Sequence, residues 1–104
     1  MTDLELTKKC AEAMGIALYP SEYPGLETKF YLHPIIDGKE LNRRYDPLHD
    51  DAQAMALVKK LALDIYAPRK DFHWIVGTAS ITRVENTDLN RAIVECVAKL
   101  QGAQ

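Results

Sequence analysis

The chain has few of the residues that form disulfides or bind metals. It contains two cysteines and three histidines in 104 residues. Cys10 and Cys96 lie far apart, form no CxxC motif and have no neighbouring histidine, so the spacing of zinc and redox sites is missing. We therefore expect both to be reduced, small, buried hydrophobic residues, and we expect no cofactor.

Long apolar runs and a basic excess are missing as well. The longest apolar run, residues 54–58, is far shorter than the ~20 residues of a membrane-spanning helix. The first residues are amphipathic and include acids, unlike a secretory signal. The formal charge of −2 argues against a strong, nonspecific grip on nucleic acid. These absences predict a cytoplasmic protein that does not contact a membrane.

The residues that are present have the composition of one globular domain, spanning residues 1–104. Apolar residues make up 47% of the chain and charged residues 27%, which suits a single core. Apolar periodicity predicts three helices, and β-branched and aromatic residues predict a sheet. The first predicted helix is 3–14, capped by Thr2 or Asp3 and ended by Gly15. The second is 50–61, and the last extends from an N-cap at Thr87 to Gly102. The predicted strands are 62–67, 71–77 and 79–84, with an edge strand within 28–36.

This order of elements predicts the α+β class. We expect three helices packed on a small, mainly antiparallel sheet, as in a three-layer α-β-α sandwich. The segment at 73–77, HWIVG, is apolar at successive positions, which is typical of a strand covered on both faces. The segment at 19–27, YPSEYPGLE, has two prolines and a glycine and predicts a loop.

The acids in YDPLHDD, residues 45–51, can be interpreted as a metal or acid–base site. Asp46, His49 and Asp50 would be its centre, with His73 near them. The spacing matches neither an EF-hand loop nor the HExxH motif of zinc helices. This interpretation remains an alternative.

The same acids can be interpreted as the start of the second helix, which is the reading we favour. Asp46 before Pro47 is typical of a turn in which the aspartate carboxylate accepts a backbone N–H. Asp50 is then the N-cap, and Asp51 lies in the first turn, where the helix dipole favours an acid. This hypothesis leaves His49 without a role. The packing residues of this helix are predicted to be Ala52, Met55, Leu57, Val58 and Leu61.

Short motifs along most of the chain resemble the phage ABA-sandwich domain family, a group of small phage and prophage proteins. They are AEAMG at 11–15, YDPLHD at 45–50, LVKKL at 57–61 and RAIVECV at 91–97. The resemblance implies a three-layer α-β-α sandwich encoded by a phage or prophage. It implies no activity, and it supplies no catalytic or ligand-binding residue.

The sequence thus predicts a non-enzymatic protein that binds a protein partner or a second copy of itself. Tyrosines in the 19–27 loop and basic residues in the next loop are the expected contact surface, because tyrosine is favoured at interfaces. A weak nucleic-acid binder that uses Lys39, Arg43, Arg44 and Arg69 is a further alternative. The candidate interaction residues are Tyr19, Tyr23, Lys39, Arg43 and Arg44.

Overall fold

A computed structural model describes residues 2–20, 30–31, 44–67, 73–78 and 82–102. These residues form three helices, a three-stranded antiparallel sheet and a separate two-stranded antiparallel sheet. The predicted α+β class, with layers of helix and sheet, is confirmed. The elements are α1 Asp3–Met14, β1 Tyr19–Pro20, β2 Phe30–Tyr31, α2 Asp51–Leu61, β3 Asp64–Tyr66, β4 Trp74–Gly77, β5 Arg83–Asn86 and α3 Leu89–Gly102. The three-stranded sheet has the order β3-β4-β5, and β1 pairs with β2 in the other sheet.

Helix α1 begins and ends as its sequence predicts. The Thr2 hydroxyl accepts the N–H of Glu5 at 3.2 Å, and the Glu5 carboxylate accepts the N–H of Thr2 at 3.3 Å. This reciprocal capping box satisfies two backbone donors, so Thr2 is the cap and Asp3 is the first helical residue. Gly15 ends the helix in the left-handed conformation, with φ of 70°, which glycine adopts without a steric penalty.

Helix α3 begins one position later than the sequence predicts. The carbonyl of Asp88 accepts the N–H of Ala92, and its carboxylate accepts the N–H of Asn90 at 3.1 Å. Asp88 therefore occupies the N-cap position, and the prediction of Thr87 was wrong. The reason is tertiary, because Asn86 still pairs with Trp74 in the sheet and the turn to the helix follows it.

The third strand of the sheet also lies later than predicted, at Arg83–Asn86 instead of 79–84. Its register places Val84 opposite Val76, and Val76 opposite Ile65. A shift by one residue would turn Val84, which is buried, towards the exposed face of the sheet. The pairing between strands therefore decides the position of β5.

The two faces of this sheet differ in burial. On the face that includes Val76 and Val84, both valines are buried, whereas Tyr66 and Glu85 on the opposite face are exposed. Ile75, which lies between them on β4, is half-buried. The prediction that β4 is covered on both faces is therefore confirmed only in part. β4 is still the most buried of the three strands, because it is the central one.

Helix α3 is the central helix of the fold. It contacts β4 and β5 of the sheet and also α1 and α2. The apolar residues predicted to form one stripe, from Leu89 to Leu100, are buried in the middle of the helix and half-buried at these two ends. Val94 and Ala98, which lie outside that stripe, are buried too. A helix that is covered on more than one side needs apolar residues around most of its circumference. Its buried residues are Ala92, Ile93, Val94, Cys96, Val97 and Ala98.

Two further predictions concern the segment after α1. Tyr19 and Pro20 belong to a strand, in which they pair with Tyr31 and Phe30, so the predicted loop does not begin at Tyr19. The expected edge strand at 28–36 is confirmed at Phe30–Tyr31, and its other residues lie outside the described part of the chain. No helix among the described residues is both long and apolar enough to cross a membrane.

Candidate functional site

The segment from Arg44 to Gln53, which we call the α2 entry, contains the candidate metal or acid–base residues. Asp46 lies at its centre. One carboxylate oxygen of Asp46 lies 2.8 Å from Nδ1 of His49 and 3.3 Å from Nη2 of Arg44. His49 is therefore held at its Nδ1 nitrogen by Asp46, and its side chain is 75% exposed. This pairing explains the position of the histidine that the sequence left without a role.

The backbone of the α2 entry confirms the cap-and-turn interpretation. The Asp50 carboxylate accepts the N–H of Gln53 at 3.0 Å and caps α2, and Asp51 is the first helical residue. The turn before the cap is closed by the carbonyl of Asp46, which accepts the N–H groups of His49 and Asp50. The carboxylate of Asp46 was predicted to accept a backbone N–H. It instead binds the side chains of His49 and Arg44, because the backbone carbonyl already closes the turn.

Gln53 is a residue of this segment that the sequence analysis missed. Its Oε1 accepts the N–H of Asp46 at 2.6 Å, and its Nε2 donates to the carbonyl of Arg44 at 2.9 Å. The amide thus holds the strand-like backbone on both sides of Tyr45. A signal was present, since an N-cap followed three residues later by Gln resembles a capping box. Here the Gln53 side chain binds the backbone of Arg44 and Asp46, which precede the cap at Asp50.

The contacts of Asp46 and Asp50 decide whether these two carboxylates could bind a metal ion in this arrangement. Asp46 binds His49 and Arg44, while Asp50 faces the N-terminus of α2. Among the residues that the structure describes, no group of three or more His, Cys, Asp or Glu side chains is placed to hold a metal ion. A metal centre on Asp46, His49 and Asp50 would require the cap of α2 to open.

Tyr45 belongs to the α2 entry, but its side chain turns into the core and the residue is only 4% exposed. Its hydroxyl has no hydrogen-bond partner within the described ranges. Burial, with a smaller contribution from Cys10, raises the pKa of this hydroxyl. Tyr45 therefore contributes a neutral, buried ring to the core.

The two cysteines are buried, as predicted. Burial raises the pKa of the Cys10 thiol to about 12 and also raises the pKa of Cys96. A thiol reacts as a nucleophile when it is ionised, so both cysteines are unreactive at neutral pH. The Cys10 sulfur lies 4.0 Å from the carbonyl of Val94, where α1 packs on α3.

A groove lies between the N-terminal halves of α2 and α3, and we call it the α2–α3 groove. Its volume is about 350 Å³. Met55, Leu89 and Ile93 supply its apolar lining. Asp51, Asp88 and Asn90 line it with polar groups, and Nδ2 of Asn90 donates to Oδ1 of Asp51 at 2.8 Å. The groove therefore combines an apolar lining with two carboxylates.

Met55 was predicted to pack in the core, and this prediction was wrong. Its side chain is 39% exposed, and Ala52 is exposed as well, whereas Leu57 is fully buried. Helical spacing already separates Met55 from Leu57 by about 160° around the helix, so a helical wheel carries this signal. Of the other predicted packing residues, Val58 and Leu61 are half-buried and pack against the core.

The predicted interaction surface is described in part. Tyr19 is exposed on β1, and Arg44 is exposed but bound to Asp46. The remaining candidates lie outside the described residues, as does the residue added for nucleic-acid binding. They are Tyr23, Lys39, Arg43 and Arg69.

Comparison of this chain with protein-family models, with curated proteins and with solved structures found no match. The geometry of the α2 entry and of the α2–α3 groove is therefore the basis for a functional hypothesis.

Proposed function

We propose that this chain is a non-enzymatic accessory protein of a phage or prophage that acts in the host cytoplasm by binding another protein. The phage origin is supported by the motifs at 11–15, 45–50 and 91–97, which resemble those of the ABA-sandwich family. The mode of action is supported by the surface of the folded chain.

The observation that carries the proposal is the α2–α3 groove. Its apolar residues stay open to water at Met55, which lies on the exposed side of α2. Methionine is enriched at protein interfaces because its flexible, polarisable side chain adapts to a partner. The carboxylates of Asp51 and Asp88 beside it favour a partner that offers an apolar side chain close to a positive charge.

The α2 entry supports binding over catalysis. The polar side chains that could act in acid–base chemistry are bound to each other and to the backbone that starts α2. Using the Asp50 carboxylate for catalysis would open the cap of α2, which costs about 1 kcal/mol. The Asp46–His49 pair is the remaining basis for the enzyme or metal alternative, since a carboxylate can orient a histidine that acts as a base or as a ligand.

The nucleic-acid alternative receives less support from the groove, because its two aspartates repel phosphates. Arg44, the described member of the predicted basic set, is paired with Asp46. This pairing lowers the positive charge available to a nucleic acid.

Affinity capture from infected host cells tests the proposal. The tagged wild-type chain is compared with M55K, which places a charge in the apolar lining, and with K60E, which changes a charge on the same helix away from the groove. We expect proteins that the wild type and K60E retain and that M55K loses. Identical captures by all three would contradict a role for the groove.

Calorimetry tests the alternative directly. The wild-type chain and H49A are titrated with Zn²⁺ and Mn²⁺. A saturable one-to-one heat that H49A abolishes would favour the metal site over the proposal. We expect no difference between the two chains.

A further inference from the structure

We infer that the exposed side of α2 is a self-association surface, on which two copies of this chain pack with their α2 helices antiparallel about a twofold axis at Met55. The inference rests on the proposed function and deepens it, because it names a second copy as a partner.

Three exposed residues of α2 form one stripe. Met55 lies near the middle of the helix, and the exposed residues Asp51 and Lys59 lie four positions before and after it. At about 100° per residue, each of these two side chains is within about 40° of Met55 around the helix. The stripe is thus acidic at its N-terminal end, apolar at its centre and basic at its C-terminal end.

This order of charges is complementary to itself. Asp51 and Lys59 are each about 6 Å along the helix axis from Met55. When a second α2 lies antiparallel with its Met55 opposite the first, Asp51 of each copy faces Lys59 of the other. A twofold axis repeats every contact, so the interface contains two such ion pairs.

Both charged groups are available for these pairs. Neither Asp51 nor Lys59 forms an ion pair within the described part of the chain. One oxygen of the Asp51 carboxylate accepts the amide of Asn90, which holds the side chain beside the groove. The Asp51 carboxylate is therefore held in position beside the groove. Lys59 of a second copy can supply the ionic partner that the described residues do not provide.

The groove provides the apolar part of the contact. Met55 lines the groove together with Leu89 and Ile93. In the antiparallel arrangement the Met55 side chain of the second copy lies over the first Met55 and reaches this apolar lining. Each copy supplies both the inserted side chain and the groove, as a symmetric interface requires.

The charge order favours a second copy over an unrelated partner. An unrelated basic segment would match the aspartates of the groove, but it would meet Lys59 with a like charge. A second copy matches both ends of the stripe. A helix of 11 residues is only about 16 Å long, so the buried area is small and we expect a weak dimer that dissociates in the micromolar range.

Sedimentation equilibrium of the purified chain, from about 10 to 500 µM, tests the inference. We expect a monomer–dimer equilibrium that weakens with salt and that M55K abolishes. Because each substitution converts two attractive pairs into repulsive ones, D51K and K59E should each weaken the dimer about tenfold.

A mixture of D51K and K59E is the sharpest arm of the experiment. In the mixed dimer the introduced lysine faces the introduced glutamate, and the unchanged Asp51 of one chain faces the unchanged Lys59 of the other. The mixture should therefore form a heterodimer although each variant alone is mostly monomeric. K60E is the matched control, because Lys60 is exposed but points about 140° away from Met55.

Several results would overturn the inference. These are a wild type that is monomeric at every concentration, a K60E variant that is weakened as much as K59E, or a mixture that shows no heterodimer. D51N, which preserves the contact with Asn90, replaces D51K if thermal unfolding shows that D51K does not fold.

The two proposals fail separately. A monomeric wild type that still captures a protein through Met55 would refute self-association and leave the proposed function standing. A wild type that dimerises but captures no other protein through Met55 would refute the proposed function and leave self-association standing.

Discussion

The buried hydroxyl of Tyr45 leads to a direct prediction about the stability of the fold. Tyr45→Phe removes one oxygen and preserves the shape of the ring. Since the side chain is almost fully buried and its hydroxyl has no hydrogen-bond partner among the described residues, folding takes this group out of water without replacing its hydrogen bonds. We therefore expect the variant to be more stable than the wild type.

The magnitude follows from the cost of an unsatisfied polar group, which is about 1–3 kcal/mol. The ring of phenylalanine fills the same space, so no large cavity offsets the gain. A gain in the free energy of unfolding of about 1 kcal/mol is expected, which corresponds to an increase in Tm of roughly 4–8 °C for a domain of this size.

Urea denaturation followed by the fluorescence of Trp74, the single tryptophan of the chain, measures this change. Tyr66→Phe is the matched control. Tyr66 is 51% exposed, so its hydroxyl is hydrated in the folded chain and its removal should change the free energy of unfolding by less than about 0.5 kcal/mol.

A loss of about 1 kcal/mol in Tyr45→Phe would refute this reasoning. It would mean that the hydroxyl makes a hydrogen bond in the folded protein. Cys10, which contributes to the raised pKa of Tyr45, would then be the first partner to examine in the double variant Y45F/C10A.

Two further predictions concern the same part of the fold. Gln53→Met preserves the length of the side chain but removes both hydrogen bonds of its amide. It should lower the free energy of unfolding, measured in urea, by about 1–2 kcal/mol and speed hydrogen exchange at the Asp46 backbone amide. An unchanged urea midpoint would contradict the role of Gln53. Stability should also fall as pH rises above 9.0, the ordinary pKa of the Cys10 thiol, because the unfolded chain ionises there while the folded thiol stays neutral to about 12. The expected loss is about 1.4 kcal/mol at pH ~10, and Cys10→Ser should remove that part of the slope.

Local chemistry made much of the fold predictable. The ends of α1 and α2 depend on side chains within three or four residues of the cap, as at Thr2 with Glu5 and at Asp50 with Gln53. Such contacts are encoded in a few neighbouring positions, and the sequence located both helices within one residue. The composition of the elements likewise indicated the α+β class.

Predictions that depended on distant residues were less accurate. The start of α3 moved from Thr87 to Asp88, and β5 moved towards the C-terminus, because pairing with β4 sets both positions. At the candidate site, the cap at Asp50 was predicted, whereas the binding of Asp46 by His49 and Arg44 was not. That contact requires the turn to bring three side chains together.

The sequence by itself determined the three helices, the antiparallel sheet and the buried state of both cysteines, because apolar periodicity and capping residues act over short distances. Only the tertiary structure decided which apolar residues are covered. Val94 and Ala98 are buried because α3 packs against two helices and the sheet. The α2–α3 groove arises from this packing, since its lining comes from residues about 40 positions apart in the chain that meet only when the two helices lie side by side.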